Sequence, residues 1–504
     1  MLAVNKSRKQ SRSLILYMQR RFKKKEKVPQ ITNIARAQEY FDRAYPPVYG
    51  PRWPSIRLAL LSKQKYVAAV NNFANHENTI EKFQELGAVD IGHKCTMIAA
   101  QMRANKKEWD QQISQEHDED TFQDHPEIEE SKLIRPSLIE LDDDELAAQA
   151  KAESIKRYPE EYRARALAKD YNPGTMELDH TSRIILPSEV ESRGVNVMMD
   201  YVPATKLKGL ENWVEETDVF VDASHGDQEI GLKTEKEEEP INFPSALKIY
   251  AFSKGDISNF PKPKMDHQMK VMDYYALDGA SLLPVLALDL QPGDRVLDLC
   301  AAPGGKTLIA LQSLLPGLVV SNDMFESRIN RLHRVLKQYI PPGFSDLDRI
   351  SLVTTGDGCV IREREAYDKV LVDAPCLTDR FSLKENDNSI FKSSRTKERL
   401  KLPELQSQLL VSALKAVRPG GTVVYSTCSL SPLQNDGVVH LALSKIWKST
   451  RIEYCVVDMS YAVRPLNFLY RFGSNLGLRY GQIVLPSLLS NFGPMYCSKI
   501  KRLR

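Results

Sequence analysis

Residues 296–307 read Val296-Leu-Asp-Leu-Cys-Ala-Ala-Pro-Gly-Gly-Lys-Thr307, a short apolar strand that runs into a glycine turn and then an apolar-periodic helix. Gly304 and Gly305 let the backbone approach a ligand closely and take φ values that other residues resist. The helix beyond them offers unpaired N–H groups to electron-rich atoms, so the stretch reads as a cofactor-binding elbow. Taken alone, the same pattern serves as a tight strand-to-helix turn in any α/β protein. A P-loop would need Gly five residues before Gly305, where Cys300 stands, so nucleotide hydrolysis by that motif is excluded.

Outward from this elbow the chain alternates strand and helix. Strands are expected at Arg295–Leu299, Leu318–Asn322, Ile350–Thr354, Lys369–Asp373, Thr422–Ser426, Ile452–Val457 and Gly493–Lys499. Helices are expected near 305–315, 326–339, 404–417 and 434–447, and another over Tyr274–Leu290. That βαβ rhythm over residues 241–504 predicts an α/β fold with a doubly wound, mostly parallel, Rossmann-like sheet. Ligands bind at the carboxyl ends of such strands.

Upstream, residues 1–30 look like a mitochondrial targeting segment. Residues 1–27 hold ten Lys or Arg and one acid, with Leu14, Met18 and Phe22 on one helical face. The competing reading is a basic arm that touches nucleic acid. Residues 31–107 form a helical N-terminal unit by periodicity. Residues 108–240 carry 35 acidic and 14 basic side chains, leaving this stretch at −21 and the rest of the chain at +24. Such a composition predicts a largely disordered acidic insert, dispensable for chemistry, and a basic remainder suited to a polyanion. The seven cysteines contain no Cys-x-x-Cys pair, which argues against disulfide and zinc frameworks, and no apolar run reaches membrane-spanning length. No metal site and no membrane partner are expected.

The strand ends carry the candidate chemistry. Asp323 closes the second strand, 19 residues after Gly304, where an acid in dinucleotide-binding folds accepts from ribose hydroxyls. A nicotinamide cofactor stays open on that evidence. Asp357-Gly358 follows the third strand, and Arg328 stands in the helix after Asp323. Asp373-Ala-Pro-Cys376 ends the fourth strand and Ser426-Thr-Cys428-Ser ends the fifth, bringing two thiols to one crevice. A thiol has a use there. The C5 carbon of cytosine cannot attack a methyl sulfonium until a thiolate has added at C6, and Cys suits such covalent catalysis. An acid near N3 would stabilise the proton the ring takes up, a role open to Asp373. The crevice is expected to lower a thiol pKa from its reference of about 8.5.

Here the residues resemble a family. Asp298-Leu-Cys-Ala-Ala-Pro-Gly-Gly-Lys306, Pro375-Cys376 and Thr427-Cys428 are similar to motifs of the Sun-domain RNA (cytosine-5)-methyltransferases. Trp53-Pro-Ser-Ile-Arg57, Gln64-Lys-Tyr66, Asn71-Asn-Phe73, Asp379-Arg380 and Asn491-Phe-Gly-Pro-Met-Tyr496 narrow the likeness to its mitochondrial ribosomal-RNA branch. The resemblance implies a class I S-adenosylmethionine-dependent methyltransferase fold, with Cys428 as nucleophile and Cys376 assisting product release. It also implies cofactor contacts at Gly304, Gly305, Lys306, Asp323, Arg328, Asp357, Gly358 and Asp373. It further implies an RNA substrate in the mitochondrial matrix and a helical-repeat partner of the mitochondrial transcription termination factor family. Two rivals remain open: transfer-RNA methylation, and a ribosome-assembly or RNA-binding factor with dispensable catalysis. The acidic stretch 108–240 is not associated with the family, and Leu377 stands where Ser or Thr often follows the Pro-Cys motif.

Overall fold

The computed structural model describes residues 32–116, 233–341, 349–473 and 476–504. The targeting segment expected over residues 1–30, and residues 117–232 of the acidic stretch, lie outside them. Helix α1 (Asn33–Ala44) starts at Thr32, whose side chain accepts from the Ala35 N–H. It is followed by α2 (Trp53–Leu61), β1 (Val67–Val70), α3 (Glu77–Glu85), β2 (Val89–Asp90) and α4 (Ile91–Glu116). Beyond the acidic stretch come β3 (Lys233–Lys236), β4 (Ile249–Ala251), β5 (Tyr274–Leu277) and α5 (Leu282–Ala287). The alternating part then runs β6 (Arg295–Asp298), α6 (Gly305–Gln312), β7 (Leu318–Asp323), α7 (Glu326–Tyr339), β8 (Ser351–Thr355) and β9 (Tyr367–Asp373). It closes with α8 (Thr396–Ala416), β10 (Val417–Thr427), α9 (Asp436–Ser449), β11 (Tyr454–Asp458), β12 (Gln482–Val484) and β13 (Met495–Arg502).

The main sheet has the order β3-β11-β13-β10-β9-β6-β7-β8, with β12 paired to β13. Strands β8, β7, β6, β9 and β10 are parallel to their neighbours, whereas β13 runs antiparallel between β10 and β11. The expected doubly wound, mostly parallel sheet is therefore present. The chain leaves β6 toward β7 and β8, then returns to its other side with β9, which puts the topological switch beside the glycine elbow.

Side chains along the parallel strands alternate between two apolar layers, as a pleat with both faces covered requires. Val296, Val319, Leu371 and Val424 pack with Ile309 and Leu311 of α6 and Ile329 and Leu332 of α7. Their neighbours Leu297, Val320, Val370 and Val423 pack with Leu409 and Leu410 of α8 and Val438 and Val439 of α9. Phe41, Tyr45, Trp53, Ile56 and Leu60 of the N-terminal segment join that second layer.

Three expectations change. Tyr274–Leu290 is not one helix: Tyr274–Leu277 pairs with β1, Asp278 caps a turn at Gly279–Ser281 by accepting from the Ala280 N–H, and only Leu282–Ala287 is α-helical. Every residue of α5 is buried, so its apolar run carries no period to mark its start. The N-terminal helices exist, but two short strands interrupt them. Those strands form a second, antiparallel sheet of order β2-β4-β1-β5, shared between residues on both sides of the acidic stretch. Finally, α8 begins at Thr396 and carries Pro403 inside it, a residue that sequence reading takes as a helix boundary.

Candidate active site

The elbow begins with β6, which ends in Asp298, and enters α6 through Gly304 at φ 111°. A Cβ on Gly304 would stand 2.6 Å from Cδ1 of the buried Leu332, so both conformation and space demand glycine. Asp298 is buried, accepts from the Thr307 hydroxyl at 2.7 Å, and leaves its other oxygen without a partner among the described residues. Burial pushes its carboxyl up to about 7, with Thr307 pulling the other way.

Asn322 stitches the strand ends together. Its side-chain amide donates to the Leu299 carbonyl at 3.2 Å and the Gly356 carbonyl at 3.0 Å, and its backbone carbonyl accepts the Ala301 N–H. Next to it, Asp323 is buried and accepts from the Ala302 N–H at 3.3 Å. Arg328 lies 3.4 Å from Asp323 and donates to the Ala302 carbonyl at 2.6 Å, so it braces the loop in front of the glycines. Asp357 is exposed and accepts from the Cys359 N–H at 2.9 Å, which caps its own turn. Gly358 is packed so tightly that a Cβ would meet Leu409 at 2.8 Å. Tyr275, which sequence reading missed, hangs its hydroxyl 3.2 Å from the Cβ position of Gly305.

Lys306 reaches from the elbow to Asp373 at the end of β9, Nζ to Oδ2 2.7 Å. Burial works against the ammonium, but the charge and hydrogen bond of Asp373, with Cys428 and Asp298 adding, carry it above the ordinary lysine range. The other oxygen of Asp373 accepts from the Ser426 hydroxyl at 3.0 Å. Beyond this pair the sulfurs of Cys376 and Cys428 are 3.2 Å apart. The expected low thiol pKa is not found at Cys428. The hydrogen bond with Cys376, then burial and the Cys376 and Asp373 charges, push it well above its usual value, and Lys306 opposes them.

Both thiol turns are held from behind. Gln434 accepts from the Leu377 N–H at 3.1 Å and Gln406 donates to the Pro375 carbonyl at 2.7 Å, while the Leu377 side chain sits in the core. The backbone amide of Leu377 thus makes the link that no hydroxyl is there to make. Thr427 donates to Asn435 at 2.6 Å, and Asn435 in turn donates to the Ser429 carbonyl at 3.0 Å. Gln406, Gln434 and Asn435 gave no motif by which sequence could find them.

A family model described as 16S rRNA methyltransferase RsmB/F matches residues 285–463. The 5-cytosine rRNA methyltransferase NSUN4 of Xenopus tropicalis is 35% identical over 502 residues, covering 97% of this chain and 96% of that one. The chain belongs to the Sun-domain RNA (cytosine-5)-methyltransferase family. The 5-cytosine rRNA methyltransferase nsun-4 of Caenorhabditis elegans is 33% identical over 94% of this chain and 93% of its own. A mitochondrial tRNA (cytosine(34)-C(5))-methyltransferase of Danio rerio is 43% identical over 239 residues, 47% of this chain and 63% of that one.

As a member of this family the protein is an enzyme that uses S-adenosylmethionine to methylate RNA cytosine at C5. The crevice fits that cofactor. A glycine turn lets the backbone come close, the Asp323 carboxylate sits at a strand end, and the unpartnered oxygen of Asp298 lies behind the turn.

Proposed function

We propose that the two thiols and the Lys306–Asp373 pair methylate cytosine in RNA through a covalent bond from Cys428 to C6 of the ring. The observation that carries this reading is the 3.2 Å approach of the two sulfurs beside that ion pair. When bound, S-adenosylmethionine supplies a methyl group on a cationic sulfonium. We assign Gly304, Gly305, Lys306, Asp323, Arg328, Asp357, Gly358 and Asp373 to holding it, with Asp323 on the ribose hydroxyls.

Cys428 forms the S–C6 bond and gives up its thiol proton as the ring takes one up at N3. Asp373 accepts the hydrogen bond of that protonated nitrogen. Lys306 keeps Asp373 in position and sets a positive charge near the Cys428 sulfur, which favours the thiolate as it forms. Electron density released into the ring makes C5 nucleophilic. Once C5 carries its methyl group, its proton passes to water, the S–C6 bond breaks with its electron pair returning to the Cys428 sulfur, N3 gives its proton back to that thiolate, and Cys376 assists this release.

The substrate we assign is mitochondrial small-subunit ribosomal RNA, in support of ribosome assembly in the matrix. Two relatives named for ribosomal RNA match almost the whole chain, and the basic segment at residues 1–27 suits import. A helical-repeat partner of the mitochondrial transcription termination factor family would supply further RNA affinity. Bisulfite sequencing of mitochondrial ribosomal and transfer RNAs after depletion tests the substrate: loss of a ribosomal 5-methylcytosine is expected, and loss confined to transfer RNA overturns the assignment. Denaturing gels test the chemistry. Cys376→Ala should accumulate protein cross-linked to RNA and Cys428→Ala should form none, while the reverse pattern would make Cys376 the nucleophile.

A further inference from the structure

One residue after the Cys428 thiol, the chain is anchored to a buried carboxylate that the chemistry above does not use. Asp379 is completely buried, yet its donors are two hydroxyls and one amide. Oδ1 accepts from the Ser429 hydroxyl at 3.0 Å, and Oδ2 accepts from the Leu430 N–H at 2.8 Å and the Tyr45 hydroxyl at 2.7 Å. Arg380, next in the chain, sends its guanidinium elsewhere, to the Gly493 carbonyl, the Asn491 side chain and the Ala59 carbonyl. A buried carboxylate without a cation is costly, and full hydrogen bonding is what offsets that cost.

Two of the three donors belong to the turn that presents Cys428, and the third comes from the segment after α1, 334 residues earlier. The same N-terminal segment takes a second hold on that turn, because the Tyr49 hydroxyl donates to the Leu430 carbonyl at 2.6 Å. Asp379 itself stands three residues after Cys376, so one carboxylate ties both thiol turns to each other. We propose that Asp379 is a positioning residue which, clamped by Tyr45, sets the Cys428 turn in register with the Cys376 turn and makes the N-terminal segment part of the catalytic apparatus. The proposal rests on the reading of Cys428 as nucleophile. Displacement of a reacting atom by about 1 Å costs on the order of a hundredfold in rate, so the loss should fall on kcat.

Asp379→Ala leaves three buried donors unpaired and is the variant most exposed to misfolding, so Tyr45→Phe and Ser429→Ala carry the test, with the full chain in each case. Tyr454→Phe is the control. It removes a buried hydroxyl that donates to the Leu414 carbonyl at 2.8 Å, away from the thiol turns. Steady-state methylation of an RNA substrate, S-adenosylmethionine titration calorimetry and thermal unfolding are measured for all three. Tyr45→Phe and Ser429→Ala should each lower kcat by about ten- to a hundredfold with KM for RNA and cofactor affinity near wild type. Tyr454→Phe should lower the unfolding temperature and leave kcat unchanged. Folded Tyr45→Phe and Ser429→Ala proteins with wild-type kcat would overturn the proposal, as would a kcat loss in Tyr454→Phe equal to theirs. Cys428→Ala in the same assay separates the two layers: methylation surviving in Cys428→Ala sinks the nucleophile reading, whereas a dead Cys428→Ala beside unaffected clamp variants sinks the clamp alone.

Discussion

The sulfur of Cys376 stands 3.2 Å from that of Cys428, and this contact comes ahead of burial among the causes that hold the Cys428 thiol above its ordinary range. In the free protein the cysteine we propose as nucleophile is thus held toward its thiol form by the one we propose to assist release. Cys376→Ala removes that contact and leaves Lys306 acting on Cys428. Iodoacetamide alkylation of the Cys428 peptide, followed by mass spectrometry across pH, should reach its half-maximal rate at lower pH in Cys376→Ala than in the wild type. An unchanged profile would mean that burial alone governs the thiol.

Asp323 faces the glycine turn from the end of β7 and is fixed there by the Ala302 N–H and by Arg328. Losing the hydrogen bonds we propose it makes to the ribose should weaken S-adenosylmethionine binding by about 1–3 kcal/mol in Asp323→Ala. Arg328→Ala should weaken it less, because in the chain its guanidinium braces Asp323 and the Ala302 carbonyl. Calorimetric titration gives both numbers. Wild-type affinity in a folded Asp323→Ala protein would remove this acid from the cofactor site.

Burial raises the Asp298 carboxyl from 3.8 to about 7, and it raises Asp379 to about 6 against the pull of its donors. A folded state with such groups binds more protons than the unfolded chain between these values. Their contribution to stability is therefore full below about pH 4 and is lost as pH climbs toward 7. For Asp298 the loss is on the order of a few kcal/mol. Urea midpoints should fall over that window in the wild type and fall less in Asp298→Asn, which cannot ionise. Parallel slopes in the two proteins would show that Asp298 is already ionised in the fold.

The elbow, the acids at strand ends and the two thiol motifs were legible because each is a local pattern whose order along the chain fixes its place in a parallel sheet. What was not legible depends on distant partners. Val67–Val70 becomes a strand because Ala68 lies opposite Tyr250 and Ala276, and nothing in Val-Ala-Ala-Val forecasts that pairing. The period of two places β13 in the sheet but carries no direction, so its antiparallel run could not be read. Asp379-Arg380 stood out only as a family signature. The carboxylate's role depends on Tyr45, and the high Cys428 pKa depends on how closely Cys376 approaches, a distance that no spacing encodes.

Shortening the acidic stretch should leave the chemical step unharmed, but not over the whole of 108–240 as its charge pattern suggests. Strand β3 pairs with β11 from Cys455–Lys233 to Asp458–Lys236 at the edge of the main sheet. Behind it Glu237 lies 2.9 Å from Lys499, Glu238 3.1 Å from Lys106 and Glu239 3.0 Å from Arg103, so this acidic run pins α4 against the sheet. Removing it would uncover β11 and cut three ion pairs at once. Residues 117–232 hold 28 acidic and 12 basic side chains, a net −16 that repels RNA from the basic remainder. Glu116 lies about 15 Å along its helix from Lys106 and Lys233 about 17 Å along its strand from Glu238, so a Gly/Ser linker of about 30 residues, with a span of roughly 27–33 Å, is used to join them. Replacing 117–232 in this way should leave single-turnover methylation of a short RNA near the wild-type rate and strengthen RNA binding most at low salt. Deleting 108–240 outright should instead lower the unfolding temperature. A linker variant that folds but has lost methylation would give residues 117–232 a part in the chemistry.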